Sequence, residues 1–451
     1  MEFQGKRVLV LGAGISGMSV STILKRLGAE VTLSDSRSEE RINKDFTLVR
    51  NAGVRLSLGD QDDKLLSNID YVVLSPGISI NTHIVDQAHK QGIVVMSEIE
   101  VAYRICSNPI VAVTGTNGKT TTTTLIGEMI KTSNPQVVVG GNIGQALSHE
   151  VFELDPSGIV VAELSSFQLE GALNFRPHIA AILNVTPDHL DRHRTMDNYI
   201  GMKEKIFSKQ TDEDYLILNY DDETVRNMAQ KAASQVVFFS RSTILQQGIS
   251  VIDGVINISW NGENVPICPI ADMQLKGAHN VENALAACGA AFFTGVEANN
   301  MAKVLRNFRG VEHRIEPVAT INGVAYFNDS KATNPESAIK ALEAFSGNII
   351  LIAGGRDKKT NLNDFMVLIK KNVDHLILIG EAKTRFKDEA IAHGVQSIHQ
   401  AESMEEAVKL AHCLAKSHQV VLLSPACSSY DMFNNYEERG RAFKSLVKQL
   451  R

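Results

Sequence analysis

The sequence predicts an α/β fold built from parallel strands and covering helices. Short apolar runs that end in Gly or a small polar residue recur along the chain, for example at 7–12, 110–115 and 420–425. Runs without polar alternation are typical of parallel strands that are buried on both faces. Between them apolar residues recur at helical spacing, as at 18–27, and this alternation predicts strand–helix–strand units. In such sheets ligands bind at the carboxyl ends of the strands.

Composition excludes several classes of protein. The 451 residues suggest about three domains at roughly 150 residues each. The 45 basic and 51 acidic side chains give a net charge of −6, which argues against a nucleic-acid-binding protein. No apolar run approaches the roughly 18 residues of a membrane helix, and the first residues lack a secretory signal pattern. Five cysteines without metal-like spacing indicate reduced thiols, so we expect a cytoplasmic protein without membrane insertion.

A glycine-rich segment, TGTNGKT at 114–120, follows a β-branched strand and precedes a helical pattern. Its glycines allow backbone N–H groups to surround a phosphate at a helix N-terminus. Lys119 would reach the β- and γ-phosphates, and Thr120 could hold Mg²⁺. Val113 stands where the long form of this motif has Gly, so the segment is a shorter variant. The alternative is a glycine-rich turn with a surface lysine.

A second glycine cluster, GAGISG at 12–17, follows the first predicted strand, and Asp35 ends the next one. This pattern is the dinucleotide fingerprint with its ribose-binding acid. Three interpretations are open: a nicotinamide site, a site for another nucleotide diphosphate, or close packing of helix on sheet. The nucleotide loop at 114–120 disfavours a dehydrogenase. The loop 75–77 also follows a predicted strand and would face the same crevice.

Acidic and imidazole side chains follow two further strands. Glu163 ends the apolar run 160–163, and TPDHLDRH at 186–193 follows another. Because Mg²⁺ prefers oxygen ligands, Glu163 is a candidate ligand, and His189 is a less usual one. A polar loop with helix-capping aspartates is the alternative for the second segment. Zinc ranks low, since no cysteine accompanies these histidines.

Eight ordered blocks of the sequence resemble the Mur ligase family of peptidoglycan synthesis. They are TGTNGKT (114–120), GGNIG (140–144), ELSSFQLE (163–170), NVTPDHLD (184–191), GAHN with Asn283 (277–283), His313-Arg314, NDSKATNP (328–335) and LSPACSS (423–429). The resemblance runs from Gly12 to the C-terminus. The last two blocks are similar to those of the members that add D-glutamate.

The resemblance implies three α/β domains. A Rossmann-like domain at 1–97 would bind a UDP-linked substrate, a central P-loop ATPase-like parallel-sheet domain at 98–310 would bind ATP, and a Rossmann-like domain at 311–451 would bind D-glutamate. The implied reaction joins D-glutamate to UDP-N-acetylmuramoyl-L-alanine through an acyl phosphate, with ATP as a substrate and Mg²⁺ as the metal. The partners would be these small molecules alone, and we expect a monomer.

The resemblance also implies site residues. The catalytic residues would be Lys119, His189, Lys203 and Arg314. ATP would contact Gly115, Thr116, Asn117, Gly118, Lys119, Thr120, Thr121, Asn280, Asn283, Arg314, Asp329 and Lys331. The UDP-linked substrate would contact Gly14, Ile15, Ser16, Asp35, Arg37, Ser75, Gly77, Asn142, Ser165 and His189. D-Glutamate would contact Thr333, Lys358, Ser429, Tyr430 and Tyr436. The metal would be held by Thr120, Glu163, His189 and Lys203.

Lys203 follows the helical stretch 197–202, where residue type alone suggests a surface lysine. The resemblance implies instead a carbamylated lysine. An ammonium group would repel Mg²⁺, whereas a carbamate is an anionic oxygen ligand. Lys205 is the less expected substitute.

Three competing functions remain open from the sequence. A sibling ligase would add L-alanine, a diamino acid or the polyglutamate of folate. A nicotinamide-dependent dehydrogenase is motivated by the 12–17 segment, and a non-catalytic nucleotide-binding module by the loop alone. A phosphate-release assay with a panel of amino acids separates the ligases from one another.

Overall fold

The computed structural model describes residues 2–42, 44–59, 61–357 and 360–450, which form three sheets with helices packed around them. The chain divides into two compact units, Met1–Phe308 and Arg309–Arg451. The first unit contains two of the sheets, and the second unit contains the third. Within the described residues, no helix combines the length and the apolar character needed to cross a bilayer.

The first sheet is parallel, with strand order β3-β2-β1-β4-β5. Its strands are β1 (Arg7–Leu11), β2 (Glu30–Asp35), β3 (Arg55–Leu58), β4 (Tyr71–Leu74) and β5 (Val94–Ser97). The accompanying helices are α1 (Ile15–Arg26), α2 (Glu39–Ile42), α3 (Thr47–Asn51), α4 (His83–Lys90) and α5 (Glu98–Ile105), with a 3₁₀ turn at Asp63–Leu66. The strand order reverses at β1, so the loops after β1 and β4 line the crevice where such sheets bind ligands.

The turn after β1 depends on a close approach of two backbones. An added Cβ at Gly17 would lie 1.9 Å from the carbonyl oxygen of Gly12, so a side chain at this position would force helix α1 away from the strand. Helix α1 therefore begins directly behind the end of β1, which places its N-terminus in the crevice.

The second sheet has nine strands in the order β14-β13-β12-β11-β10-β9-β6-β8-β7. Its strands are β6 (Ile110–Thr114), β7 (Val137–Gly141), β8 (Ile159–Glu163), β9 (Ile179–Ile182), β10 (Tyr215–Asn219), β11 (Gln235–Ser240), β12 (Gly248–Ile252), β13 (Val255–Trp260) and β14 (Glu263–Pro269). The strands from β7 to β12 pair in parallel, whereas β12, β13 and β14 form antiparallel hairpins. The antiparallel hairpins at this edge extend the parallel sheet that the resemblance implied for the central domain.

Apolar side chains are buried on both faces of this second sheet, which explains the absence of polar alternation in its strands. The helices of this part are α6 (Lys119–Lys131), α7 (Leu147–Phe152), α8 (Ser166–Glu170), α9 (Leu190–His193), α10 (Met196–Glu204), α11 (Glu223–Asn227), α12 (Ala278–Phe293) and α13 (Ala298–Asn307), with 3₁₀ turns at Met228–Lys231 and Ile270–Asp272.

The third sheet has the order β15-β16-β20-β17-β18-β19 and is parallel except for the β15–β16 hairpin. Its strands are β15 (Glu316–Ile321), β16 (Val324–Asn328), β17 (Ile349–Gly354), β18 (Val373–Ile379), β19 (Ile398–Gln400) and β20 (Val420–Leu423). Its helices are α14 (Pro335–Glu343), α15 (Asn363–Asn372), α16 (Lys383–Ala392), α17 (Met404–Leu414) and α18 (Tyr436–Gln449).

Candidate active site

The loop between β6 and α6 has the shape of a phosphate-binding loop. Gly118 caps α6 with φ +82°, and an added Cβ there would lie 2.2 Å from Asn283 Oδ1. Asn184, just after β9, shapes the other side of the loop, because its Oδ1 accepts hydrogen bonds from the N–H groups of Thr116 (3.1 Å) and Asn117 (2.8 Å). The predicted strand–loop–helix arrangement is therefore present, and two asparagines from neighbouring elements define its walls.

Two lysine side chains converge on one carbonyl oxygen of this loop. Lys119 Nζ donates to Gly115 O at 2.9 Å and to Thr116 O at 2.8 Å, and Lys203 Nζ donates to Gly115 O at 2.8 Å. The Lys203 side chain is 1% exposed. Burial, and then the charge of Lys119, lower the pKa of Lys203 to about 6. Lys203 is thus a buried, largely neutral amine at neutral pH and not a surface lysine.

A network of hydroxyl groups joins helix α10 to the loop. Tyr199 OH lies 3.1 Å from Thr116 Oγ1, which also donates to Thr186 O at 3.1 Å and accepts from Thr186 N at 3.0 Å. Lys203 Nζ lies 4.5 Å from the centroid of the Tyr199 ring, one helical turn away. These contacts fix Lys203 beneath the loop, where the sequence expected a metal ligand.

Glu163 ends β8, the strand next to β6, and is 1% exposed. Its Oε1 accepts a hydrogen bond from Asn142 Nδ2 at 2.8 Å, and its backbone carbonyl accepts one from Asn142 N at 2.8 Å. Its Oε2 is buried and has no hydrogen-bond partner among the described residues. A buried carboxylate oxygen in this state is costly unless a cation or donor meets it, so Glu163 fits a ligand of Mg²⁺.

His189 stands at the N-terminus of α9 with φ +52° and a side chain that is 48% exposed. Asp188 Oδ1 accepts a hydrogen bond from His189 N at 2.9 Å, so this aspartate stabilises the turn that leads into α9. The His189 ring lies 4.7 Å from the ring of Phe167. His193 is buried and its Nε2 lies 2.9 Å from Ser166 Oγ, which assigns it a packing role.

The predicted adenine-side asparagines lie behind the loop on α12. Thr122 Oγ1 donates to Asn283 Oδ1 at 3.3 Å, and Asn283 Nδ2 donates to Asn280 Oδ1 at 3.3 Å. Thr120 is buried and Thr121 half-buried in the first turn of α6. The structure therefore brings together the loop residues and both asparagines.

The crevice of the first sheet holds the predicted UDP-binding residues. Arg37 Nε and Nη2 each donate to one oxygen of Asp35 at 2.9 Å, and Ala13 N donates to Asp35 Oδ2 at 2.9 Å. Burial by itself raises the pKa of Asp35, but these hydrogen bonds outweigh it and lower the pKa to about 2. Asp35 is therefore a fixed anion that orients Arg37 at the crevice.

The other predicted residues of this crevice lie on its two loops. Gly14 caps α1, and Ile15 behind it is an exposed apolar side chain at the helix N-terminus, followed by Ser16. Ser75 Oγ comes within 3.4 Å of where a Gly14 Cβ would lie, so the 75–77 loop with Gly77 faces this N-terminus.

The second unit carries the remaining predicted residues at the ends of β16 and β20. Asp329 accepts hydrogen bonds from Ser424 Oγ at 2.7 Å and from Ile315 N at 3.2 Å. Ile315 directly follows Arg314 in the chain. Burial raises the pKa of Asp329 to about 7. Lys331 and Thr333 follow Asp329 in the same loop.

The described D-glutamate candidates lie in the loop after β16 (Thr333), in the loop after β20 (Ser429 and Tyr430) and at the first residue of α18 (Tyr436). Ser429 is buried and Tyr430 is exposed after β20, and the backbone carbonyl of Tyr436 accepts a hydrogen bond from Ser330 Oγ at 2.8 Å. Lys358 lies outside the described residues.

Sequence reasoning assigned no role to three residues that organise these loops. Asn184 lies in the 184–191 block and Arg192 in the polar segment 186–193, so the sequence motifs already pointed to the neighbourhood of both residues. Arg439 is 1% exposed on α18 and donates to Ser330 O (2.8 Å), Ser330 Oγ (2.9 Å) and Cys427 O (3.0 Å). No local pattern distinguishes this arginine from the surface residues of its helix.

Comparison with known proteins identifies the family. Three family models match: a Mur ligase MurD-like N-terminal domain at 6–97, a Mur ligase middle domain at 113–291, and a Mur ligase glutamate ligase domain at 313–427. A UDP-N-acetylmuramoylalanine–D-glutamate ligase from Pelotomaculum thermopropionicum is 46% identical over 450 residues, covering 100% of this chain and 99% of that protein. One from Caldanaerobacter subterraneus subsp. tengcongensis is 44% identical over 453 residues and covers both chains completely.

Among solved structures, a UDP-N-acetylmuramate-alanine ligase from Thermotoga maritima is similar in fold. It is 19% identical with a TM-score of 0.57, and the match covers 98% of this chain and 99% of that one. The three-domain α/β prediction is confirmed by the family models, and the full-length identity confirms the resemblance read from the motifs. The chain belongs to the Mur ligase family.

Proposed function

We propose that this chain is an ATP-dependent ligase that joins D-glutamate to UDP-N-acetylmuramoyl-L-alanine, releasing ADP and phosphate. The observation that carries the proposal is the group around Gly115, where Lys119 and Lys203 both donate to the loop carbonyl. At the end of the neighbouring strand β8, Glu163 has a buried carboxylate oxygen with no hydrogen-bond partner in the described part of the chain. The full-length relatives named as D-glutamate ligases support this choice among the activities of the family.

The chemistry requires an activated acid. The carboxylate oxygen of the L-alanyl group attacks the γ-phosphorus of ATP, ADP leaves, and an acyl phosphate results. The amine of D-glutamate then attacks the carbonyl carbon, the amine loses a proton, and phosphate leaves from the tetrahedral intermediate. Phosphoryl transfer depends on charge neutralisation and alignment more than on covalent help from the protein. Lys119 and Arg314 are the cations that we assign to this task.

A divalent metal fits the acidic edge of the second sheet. Glu163 would hold it through its unpaired oxygen, with Thr120, His189 and modified Lys203 as further ligands. When bound, Mg²⁺ supplies charge stabilisation to the phosphate oxygens. Asn142 keeps the other Glu163 oxygen occupied, which leaves the carboxylate in one orientation.

We propose that Lys203 is carbamylated in the active protein. Its lowered pKa leaves a neutral amine, whose lone pair can attack CO₂ to give a carbamate and one proton. The modification places a negative charge beside the Lys119 ammonium, which attracts it, and adds an anionic oxygen where a metal is expected. The burial and the two-lysine contact at Gly115 O support this proposal.

The substrate assignments are part of the same proposal. ATP would contact 115–121 with Asn280, Asn283, Arg314, Asp329 and Lys331. The UDP-linked substrate would contact the crevice residues Gly14, Ile15, Ser16, Asp35, Arg37, Ser75 and Gly77, with Asn142, Ser165 and His189. D-Glutamate would contact Thr333, Lys358, Ser429, Tyr430 and Tyr436. We place the corresponding domain boundaries at 1–97, 98–310 and 311–451, and we expect a cytoplasmic monomer.

A phosphate-release assay tests the proposal. Release should require ATP, UDP-N-acetylmuramoyl-L-alanine and D-glutamate together, and L-glutamate, L-alanine or a diamino acid should not replace D-glutamate. Lys119→Ala should abolish release, because it removes a cation from the phosphate loop. Release with another amino acid would identify a sibling ligase. Protection of the first sheet by NADH but not by UDP would favour the dehydrogenase.

A further inference from the structure

Arg192 on helix α9 joins the two sheets of the first unit at their ligand-binding edges. Its Nε and Nη2 donate to the two oxygens of Glu170 at 2.9 and 2.5 Å, a bidentate pair. Its Nη1 donates to Pro76 O at 3.2 Å, and Nη2 also donates to Ile78 O at 2.9 Å. One side chain that is 14% exposed therefore makes four hydrogen bonds, two to each side of the junction.

Each segment that Arg192 contacts carries a residue of the proposed site. The 76–78 loop follows Ser75 and includes Gly77, beside the crevice for the UDP group. Glu170 ends helix α8, which begins after the capping residue Ser165. Arg192 itself lies one helical turn after His189. Among the described residues, no other side chain donates hydrogen bonds to both the 76–78 loop and helix α8.

The aromatic ring of Phe167 extends the contact to the imidazole. The Arg192 guanidinium carbon lies 4.2 Å from the Phe167 ring centroid, and the His189 ring lies 4.7 Å from the same ring. Displacing the guanidinium would therefore disturb the packing of His189 as well as the 76–78 loop.

We propose that Arg192 is a positioning residue that sets the UDP-binding loop of the first sheet at a fixed distance from the reaction edge of the second sheet. The inference rests on the proposed function, because only a substrate that spans both sheets would sense this distance. Such a substrate is held by its UDP end in one crevice while its carboxylate must meet ATP at the other. A misplacement of about 1 Å at a reacting centre can cost roughly 100-fold in rate.

An arginine is required by this geometry. Two parallel donors match the two Glu170 oxygens, and the remaining donors point at backbone carbonyls of another segment. A lysine at 192 would keep the charge, but its single nitrogen could not reproduce the bidentate pair with Glu170 together with the bonds to both Pro76 O and Ile78 O.

A second ion pair between the two sheets serves as a matched control, because it links them away from the proposed ligand-binding residues. Arg26 on α1 pairs with Glu153 after α7 at 2.6 Å, and its guanidinium lies 4.3 Å from the Phe152 ring. This pair also joins the two sheets, but both side chains are about half exposed and neither is adjacent to a proposed ligand-binding residue.

The experiment compares two ligands on four proteins: the parent, Arg192→Lys, the double variant Arg192→Met/Glu170→Leu, and Arg26→Met. UDP alone contacts only the first sheet, whereas UDP-N-acetylmuramoyl-L-alanine spans both. Affinities are measured by calorimetry, and kcat and the KM of each substrate by phosphate release.

We expect both Arg192 variants to bind UDP within about 2-fold of the parent, and to bind the spanning substrate roughly 10-fold or more weakly with a lower kcat. The KM for ATP should not change, and Arg26→Met should match the parent throughout. The double variant guards against misfolding, since it removes both charges of the pair, while Lys205 keeps its hydrogen bond to the backbone carbonyl of Glu170.

Equal losses for UDP and for the spanning substrate would overturn the proposal, as would parent-like values for the variants. An equal effect of Arg26→Met would overturn the proposal too, because it would show that Arg192 only holds the two sheets together, as any ion pair between them does. Failure of the proposed function has a different signature, namely that the parent itself does not bind UDP-N-acetylmuramoyl-L-alanine.

Discussion

Replacing Gly118 by alanine is a sharp test of the phosphate loop. The backbone there has φ +82°, and the new Cβ would lie 2.2 Å from Asn283 Oδ1, so the asparagine must move. Moving it removes its hydrogen bonds with Thr122 and Asn280, each 3.3 Å long. The left-handed backbone costs an alanine about 1–2 kcal/mol, and each of the two lost hydrogen bonds costs about 1 kcal/mol, which gives roughly 3–4 kcal/mol in all.

Thermal unfolding measures the effect, with and without Mg²⁺ and ATP. At roughly 2–3 °C per kcal/mol for a unit of this size, the melting temperature of Gly118→Ala should fall by about 6–12 °C. Protection by nucleotide should also be lost, because the displaced Asn283 and the strained loop no longer fit a phosphate.

Gly201→Ala is the matched control. Gly201 lies within helix α10, and an added Cβ there would meet nothing within 4 Å. This substitution should stabilise the protein by about 0.4–1 kcal/mol, because alanine restricts the unfolded chain and favours the helix. A Gly118→Ala protein with the parent's melting temperature and full nucleotide protection would refute the reasoning about the loop.

Three further predictions concern buried charges. Lys203→Ala should lose most turnover in the phosphate-release assay and regain part of it with added formate or acetate; an unmodified Lys203 in the mass spectrum of active protein would contradict the carbamate. Folding raises the pKa of Asp329 from 3.8 to about 7, so its contribution to stability is present at low pH and is lost between about pH 4 and 7. In Asp329→Asn, the free energy of unfolding measured with urea should therefore change less with pH across that window. The same pH dependence as in the parent would contradict the raised pKa. Arg439→Lys keeps the buried charge but cannot maintain all the contacts with Ser330 and Cys427. Ser330 lies between Asp329 and Lys331, which we assign to ATP, and Cys427 lies two residues before Ser429, so the KM values for ATP and for D-glutamate should both rise; parent-like values for both would contradict this role.

Much of the fold follows from local sequence because its strands are continuous apolar runs. The runs at 7–12 and 110–115 correspond to β1 and β6, and the glycine clusters after them form the two expected loops. The antiparallel edge of the central sheet was missed although its turns are visible. Asp253-Gly254 and Asn261-Gly262 both have positive φ angles and connect β12 to β13 and β13 to β14, as Asp-Gly and Asn-Gly hairpin turns do.

The site could be predicted only in part, since its decisive features are long-range. Lys203 is flanked by residues typical of a solvated helix, and its burial depends on a loop 88 residues earlier in the chain. Arg192 hydrogen-bonds to Pro76, which lies 116 residues earlier in the chain, and to Glu170, which lies 22 residues earlier. Motif resemblance identified the first of these residues, but neither spacing nor composition can reveal which distant carbonyl a guanidinium will reach.

The side chain of Asn184 has a consequence for how an anion would be recognised. The backbone N–H groups of Thr116 and Asn117 already donate to it, so they stiffen the loop, and these two residues would contact ATP through their other atoms. Recognition then falls to the helix end from Gly118 onward, on a backbone that is ordered in advance. A nucleotide would meet a template with little conformational entropy left to lose, so differences in affinity between nucleotides should originate at the base and sugar and not at the phosphates.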